Sequence, residues 1–214
     1  MTEEIQFYTN PVSRGRMVHW ALEEVGARYR PHLLDLLAGE HKRADFLAIN
    51  PMGKVPAIVH RGTMISEVGA IIVYLADAFP AAALAPPATD AQRGPYLRWM
   101  FFGAATLEPA IIDHITERPL PKARPFALSY GSVQAVTDTL LHALRRSPYL
   151  LGETFTAADL FVGSQIAFGV GSQCLSPLPE FQDYLARLTS RPASERMEAQ
   201  AAQWAAEMDA RKKE

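Results

Sequence analysis

The 214-residue sequence predicts a chain of two classes, an α/β first part and an all-α second part. Three observations carry that prediction. Short β-like runs alternate with amphipathic helical spacing as far as residue 80, a proline- and alanine-rich stretch without periodicity follows, and after residue 90 only helical spacing occurs. At roughly 150 residues per domain the length permits one large domain or two small ones, so the pattern has to decide. It sets residues 1–80 as a first domain, 81–89 as a linker and 90–214 as a helical domain.

Each element has a local reason. Ile5 to Thr9 is a short strand. Arg14 to Val25 puts Met17, Trp20, Ala21 and Val25 on one helical face and stops before Gly26, a residue that readily ends a helix. Tyr29 to Leu34 is a second strand, and a strand–helix–strand unit of this size implies parallel strands with a right-handed crossover. A short helical region at 43–48 follows. Ala57 to His60 and Thr63 to Ile65 flank Arg61-Gly62, a two-residue hairpin turn. Ser66 then reads as the cap of a helix with Val68, Ile71, Ile72 and Leu75 on one face. The first domain is thus βαβ, a short helix, then ββα.

Beyond the linker, Asp90 to Glu117 reads as one long helix with Leu97, Met100, Phe101, Ala104 and Leu107 inward. Pro125 to Ser147 aligns Val133, Val136, Leu140, Leu141 and Leu144, and shorter helices fit 156–172, 179–189 and 192–210. Thr156-Ala-Ala-Asp159 has the spacing of a capping box, which predicts that both polar residues are buried. The Lys212-Lys213-Glu214 tail reads as a frayed, solvated terminus.

Composition excludes several function classes. With 49% hydrophobic and 21% charged residues the chain has material for a sizeable core, unlike a disordered or collagenous one. A net charge of −2 lacks the basic footprint of a nucleic-acid binder. No apolar run approaches the ~18 residues of a membrane span, and acidic residues stand near the N-terminus where a signal peptide carries basic ones, so a cytoplasmic protein is expected. One cysteine, Cys174, allows neither an internal disulfide nor a Cys-x-x-Cys pair. The six histidines show no metal-ligand spacing, so no metal is expected.

The most informative segment runs from Asn50 to Ala76. It contains Asn50-Pro51-Met52-Gly53-Lys54-Val55-Pro56, the hairpin, and Ser66-Glu67-Val68-Gly69-Ala70-Ile71-Ile72-Val73-Tyr74-Leu75. This segment resembles the glutathione-binding signature of cytosolic glutathione transferases, and the Ser13-Arg14-Gly15-Arg16 run suggests a bacterial serine-type member. The likeness extends along nearly the whole chain. It implies a thioredoxin-like first domain, a helical second domain carrying the acceptor site, glutathione as cosubstrate, and a homodimer.

What the resemblance implies for single residues follows elementary chemistry. A cis bond before Pro56 would turn the Val55 N–H and C=O outward, where they pair with an extended peptide as a sheet edge does. Ser66, Glu67 and Val68 stand at a helix start, whose free N–H groups and partial positive charge suit a carboxylate, while the Glu67 carboxylate suits an ammonium. The family usually has Ser or Thr where this chain has Val68, a loss of one hydroxyl donor. Lys54 and His41 supply cations for the glycyl carboxylate.

For the thiol, family members use Tyr, Ser or Cys after the first strand to hydrogen-bond the sulfur and favour the nucleophilic thiolate. Ser13 is the first choice here and Tyr8 the second, with Asn10 and Arg16 as further donors. Capping by Ser13 and Ser66, and solvation of the cations, are the structural alternatives. The activity implied is a glutathione transferase acting on a small hydrophobic electrophile. Two alternatives are glutathione-dependent reduction of disulfides or peroxides at the same site, and a non-catalytic glutathione-binding regulatory protein.

Overall fold

A computed structural model describes residues 4–118 and 127–211. The tail at 212–214 and the start of the helix expected from Pro125 lie outside the described residues. The chain forms two compact units, one built from residues up to Ala82 and from Ser190 onward, the other from Ala83–Thr189.

In the first unit, β1 (Ile5–Thr9), β2 (Tyr29–Leu33), β3 (Ala57–His60) and β4 (Thr63–Ser66) form a mixed sheet in the order β2-β1-β3-β4. β1 and β2 are parallel, joined by α1 (Gly15–Val25), and the other pairings are antiparallel. This is the thioredoxin-like arrangement. Helix α1 ends at Gly26, whose φ of 61° is the left-handed conformation expected of it. Arg61 and Gly62, with φ of 53° and 72°, make the tight hairpin turn. A 3₁₀ turn at Glu40–Lys42 and the short α2 (Ala44–Leu47) follow β2, and α3 (Val68–Ala78) follows β4.

Strand alternation sorts the faces of this sheet. Phe7 points toward His19 of α1, with ring centroids 6.1 Å apart, whereas Tyr8 points the other way, 5.7 Å from Phe46 of α2. Ile71, Ile72 and Leu75 of α3 are buried, and α3 packs on α1.

The last helix, α9 (Pro192–Arg211), packs with this unit although the sequence grouped it with the helical region at 90–214. The reason is a set of contacts scattered too widely for a composition boundary to register. Trp204 stacks on His19 at 4.4 Å and lies 6.5 Å from Phe7. Arg191 grips Glu24 through two hydrogen bonds of 2.6 and 2.8 Å, Arg196 reaches Glu23 at 2.8 Å, and Arg16 pairs with Glu198. His19 Nε2 lies 2.8 Å from the Tyr29 hydroxyl and 3.1 Å from Gln200 Oε1. Burial pushes the His19 imidazole below its usual range, so it sits neutral in this cluster.

The second unit contains α4 (Arg93–Phe102), a π-helical turn (Gly103–Leu107), α5 (Glu108–Ile115), α6 (Val133–Leu144), α7 (Ala157–Gly171) and α8 (Pro179–Thr189). The expected inward face of the first stretch needs correction: Tyr96, Trp99, Met100, Gly103 and Leu107 are buried, whereas Phe101 is 68% exposed and Ala104 is exposed. Gly103 explains the shift of face. A Cβ there would lie 2.8 Å from the Phe161 ring, so the helix approaches α7 through a residue that carries no hydrophobic signal. Helix α6 begins at the cap Ser132, whose hydroxyl accepts the Ala135 N–H, later than the expected Pro125. The Thr156–Asp159 capping box forms, with Thr156 5% and Asp159 0% exposed. Cys174 is buried in this unit, and burial pushes its thiol above the usual range.

Candidate functional site

Strand register brings the expected segments to one end of the sheet. Tyr8 opposes Ala57 across β1 and β3, and Ala57 opposes Ser66 across β3 and β4. Continuing both ladders by two residues sets the Asn10 loop, Val55-Pro56 and Glu67-Val68 side by side. The segment leaving β2 emerges at this end too, since β2 runs parallel to β1.

At the centre is Val55. The Val55–Pro56 bond is cis, and neither the Val55 N–H nor its C=O takes a backbone partner among the described residues. Beside it, β4 ends at Ser66 and the chain turns sharply at Glu67, whose φ of 66° and ψ of 118° lie outside the usual regions for a residue with a side chain. This corrects the expectation that Ser66 caps the helix. Ser66 is held in the β4 ladder opposite Ala57, so Glu67 becomes the cap residue of α3, and no side chain caps the helix start. The first paired amide is Ile71 N–H, bonded to the Glu67 C=O at 2.9 Å. The N–H groups of Val68, Gly69 and Ala70 therefore point outward with the partial positive charge of the helix, an end built for an anion. Glu67 itself is exposed, so a carboxylate stands at the same place to receive a cation.

Cationic groups gather on one side. A Cβ on Gly53, whose φ is 56°, would lie 2.7 Å from the His41 carbonyl and 2.8 Å from Lys42 Nζ, so glycine lets the two segments touch. Lys42 Nζ donates to the Met52 carbonyl at 3.0 Å, a brace that sequence reading did not single out. Lys54 is exposed and its ammonium has no partner among the described residues, whereas the buried His41 Nδ1 is likewise without one.

The loop before α1 is closed on itself. The Ser13 hydroxyl donates to the Asn10 carbonyl at 2.7 Å and accepts the Gly15 N–H at 3.0 Å. Asn10 Oδ1 accepts the Val12 N–H at 3.0 Å, and Asn10 Nδ2 donates to the Leu34 carbonyl at 2.9 Å. Backbone bonds tie Ser13 N to Asn10 O, Arg16 N to Ser13 O and Met17 N to Arg14 O. Gly15 is required here, since a Cβ would meet Thr9 Oγ1 at 1.9 Å. The amide of Asn10 and the guanidinium of Arg16 are thus engaged elsewhere, with Leu34 and Glu198 respectively. Tyr8 stacks on His32 at 4.4 Å, on the sheet face opposite α1, and lines a cavity along the β2 edge of the sheet with Phe46 and Trp204. The structure therefore groups Ser13, Val55, Pro56, Ser66, Glu67, Val68, Lys54 and His41 around one end of the sheet, while the Tyr8 ring stacks on His32.

Known proteins share the fold. The family described as "Glutathione S-transferase, N-terminal domain" matches residues 3–77. The chain is 30% identical over 203 residues to "Disulfide-bond oxidoreductase YfcG" of Escherichia coli strain K12, an alignment covering 89% of this chain and 92% of that protein. It is 29% identical over 177 residues to "Glutathione S-transferase 1" of Dianthus caryophyllus, covering 77% of each. Among solved structures, a glutathione transferase homolog from sulfitobacter with bound glutathione superposes with a TM-score of 0.75 at 25% identity, over 92% of this chain and 98% of that one. A glutathione transferase from methylococcus capsulatus gives 0.78 at 25% identity, over 93% and 99%.

Proposed function

The chain belongs to the glutathione S-transferase family, and from that premise we propose that it binds glutathione at this end of the sheet and activates the thiol for attack on a small hydrophobic electrophile. The observation that carries the reading is the adjacency of an unpaired Val55 peptide and an uncapped α3 start beside the Glu67 carboxylate. The cysteinyl unit of glutathione pairs with Val55 as a strand pairs with a sheet edge. Its γ-glutamyl carboxylate takes the α3 N–H groups and its ammonium takes Glu67, with Ser66 and Val68 flanking them. Lys54 and His41 receive the glycyl carboxylate.

Glutathione supplies the sulfur, since Cys174 is buried in the other unit. Ser13 supplies the hydrogen bond that favours its thiolate. The serine has one hydroxyl proton, donated to the Asn10 carbonyl in the free protein. Rotation about Cβ–Oγ redirects it to the sulfur while the oxygen still accepts the Gly15 N–H. A carbon–sulfur bond then forms as the electrophile's leaving group departs. A hydrogen bond to a charged acceptor contributes about 1.5–3 kcal/mol, so Ser13→Ala should raise the pKa of the bound thiol by about one to two units. Ultraviolet thiolate absorbance against pH measures this directly. An unchanged pKa removes Ser13 as the activator, and no saturable glutathione binding by calorimetry overturns the whole reading.

A second reaction has a specific observation in its favour, the name of the Escherichia coli relative. In that case the glutathione thiolate attacks a disulfide sulfur and releases one thiol, and a second glutathione then attacks the first one's sulfur in the mixed disulfide, releasing the other thiol and glutathione disulfide. Turnover of a disulfide substrate without turnover of halogenated aromatics would assign this activity, and binding without either turnover would assign a regulatory role. We propose a cytoplasmic location. Among the described residues no helix is long and apolar enough to cross a membrane. Met52, 66% exposed beside the site, and Phe101 are apolar surfaces that a second copy would cover in a homodimer. Light scattering should give twice the chain mass, and a monomer at micromolar concentration would contradict it.

A further inference from the structure

We infer that Asn10 is a positioning residue for the Ser13 hydroxyl and that Met208 of the last helix holds Asn10 in place, which makes α9 part of the thiol-activating site. The inference rests on the reading of Ser13 given above.

Asn10 is 6% exposed and its side chain is used on three sides. Oδ1 fixes the Val12 N–H, one amide hydrogen fixes the Leu34 carbonyl at the end of β2, and the other points at the Met208 sulfur 4.0 Å away. Its main-chain carbonyl accepts both the Ser13 N–H at 3.1 Å and the Ser13 hydroxyl at 2.7 Å. The same residue thus sets where the Ser13 oxygen stands and holds the proton that the sulfur must attract. A polar side chain this buried stays in one conformation only while its partners stay in place.

Two of those partners lie within the loop and the neighbouring strand end, and the third comes from the far end of the chain. Met208 is 6% exposed and comes from 198 residues away. Its position depends on the docking of α9, which Trp204 secures by stacking on His19 and which Arg191, Arg196 and Glu198 secure through Glu24, Glu23 and Arg16. Arg16, expected from the sequence to act on the thiol directly, instead anchors the helix. The chain of contact therefore runs from α9 through Asn10 to Ser13. Loss of the Met208 side chain frees one side of the Asn10 amide, and loss of the Asn10 amide lets the loop from Asn10 to Gly15 drift, so the hydroxyl is less well placed for the sulfur.

The experiment compares the bound-thiol titration of the full-length wild type, Ser13→Ala, Asn10→Ala, Met208→Ala and the Asn10→Ala/Ser13→Ala double variant, with melting temperature measured alongside. Asn10→Ala is expected to raise the thiol pKa by about half a unit to one unit, a three- to tenfold loss of thiolate below the pKa. Met208→Ala should do so by a smaller amount, and the double variant should match Ser13→Ala alone because Asn10 acts through Ser13. Glutathione affinity measured well below the pKa should change less than the titration does. If Ser13→Ala shifts the pKa while Asn10→Ala and Met208→Ala lower only the melting temperature, the inference fails and the role of Ser13 stands. If Ser13→Ala shifts nothing, the underlying reading fails. If Asn10→Ala does not fold, Met208→Ala decides.

Discussion

Replacing Asp159 with alanine is expected to destabilise the Ala83–Thr189 unit by about 3–5 kcal/mol, a large part of the roughly 5–15 kcal/mol that holds a typical domain folded. The carboxylate is 0% exposed and accepts four hydrogen bonds, from the N–H groups of Leu150 and Thr156 at 2.7 and 2.8 Å and from the hydroxyls of Thr156 and Tyr184 at 3.0 and 2.9 Å. It joins the loop before α7, the start of that helix and the face of α8. Alanine leaves four donors inside the protein without acceptors, each with its own desolvation cost, and opens a cavity. Asparagine keeps one of the two oxygens and turns an N–H₂ toward the remaining donors, so Asp159→Asn should fall between alanine and wild type. Burial pushes the Asp159 carboxyl above the usual carboxylate range, against the opposing pull of its donors. A raised folded pKa contributes stability that is full below the unfolded value near 4 and is lost as pH rises through the folded one. The pH dependence from this group should therefore vanish in the alanine variant. Urea unfolding and limited proteolysis mapped to residues 83–189 measure both effects; a variant with a wild-type midpoint would show that the network does not hold the unit together.

The legible and illegible parts of the chain differ in the range of the physics that sets them. Helices α7, α8 and α9 fall within one residue of the expected 156–172, 179–189 and 192–210, because their starts are written locally in Thr156–Asp159, Pro179 and Pro192. The hairpin and the βαβ unit are legible for the same reason. Three features were not. The buried face of α4 depends on Gly103 meeting Phe161, a contact with α7 that no hydrophobic period encodes. The cap of α3 depends on the β3–β4 register, which keeps Ser66 in a strand and leaves Glu67 to make the turn. The packing of α9 depends on charges and rings spread between residues 16 and 204. Within the candidate site, the motif singled out segments that the fold brings to one end of the sheet, but not the hydrogen bonds among them. Which side of β1 the Tyr8 ring takes, and where the single Ser13 proton rests, are decided by neighbours that only the fold assembles.

Glu67 should show the largest effect on binding. Its backbone holds a conformation, φ 66° and ψ 118°, that costs a residue with a side chain on the order of 1–3 kcal/mol, and the carboxylate it carries is exposed. A purely structural position of this kind would be served better by glycine, which adopts such angles freely. The presence of a charged side chain there implies that the carboxylate is what the position needs. An ammonium-to-carboxylate hydrogen bond contributes about 1.5–3 kcal/mol, so Glu67→Ala should weaken glutathione binding by roughly 10- to 150-fold with little change in melting temperature. Glu67→Gly separates the two roles. It should raise the melting temperature by relieving the backbone and weaken binding as much as alanine does. The neighbouring position offers the converse test, because Val68→Ser restores a hydroxyl beside the open N–H groups and should tighten binding by about 1 kcal/mol. Calorimetry on the three variants distinguishes the outcomes. If Glu67→Ala binds glutathione as the wild type does, the carboxylate does not hold the ammonium, and the strained turn serves only to aim the α3 amides at the ligand's carboxylate.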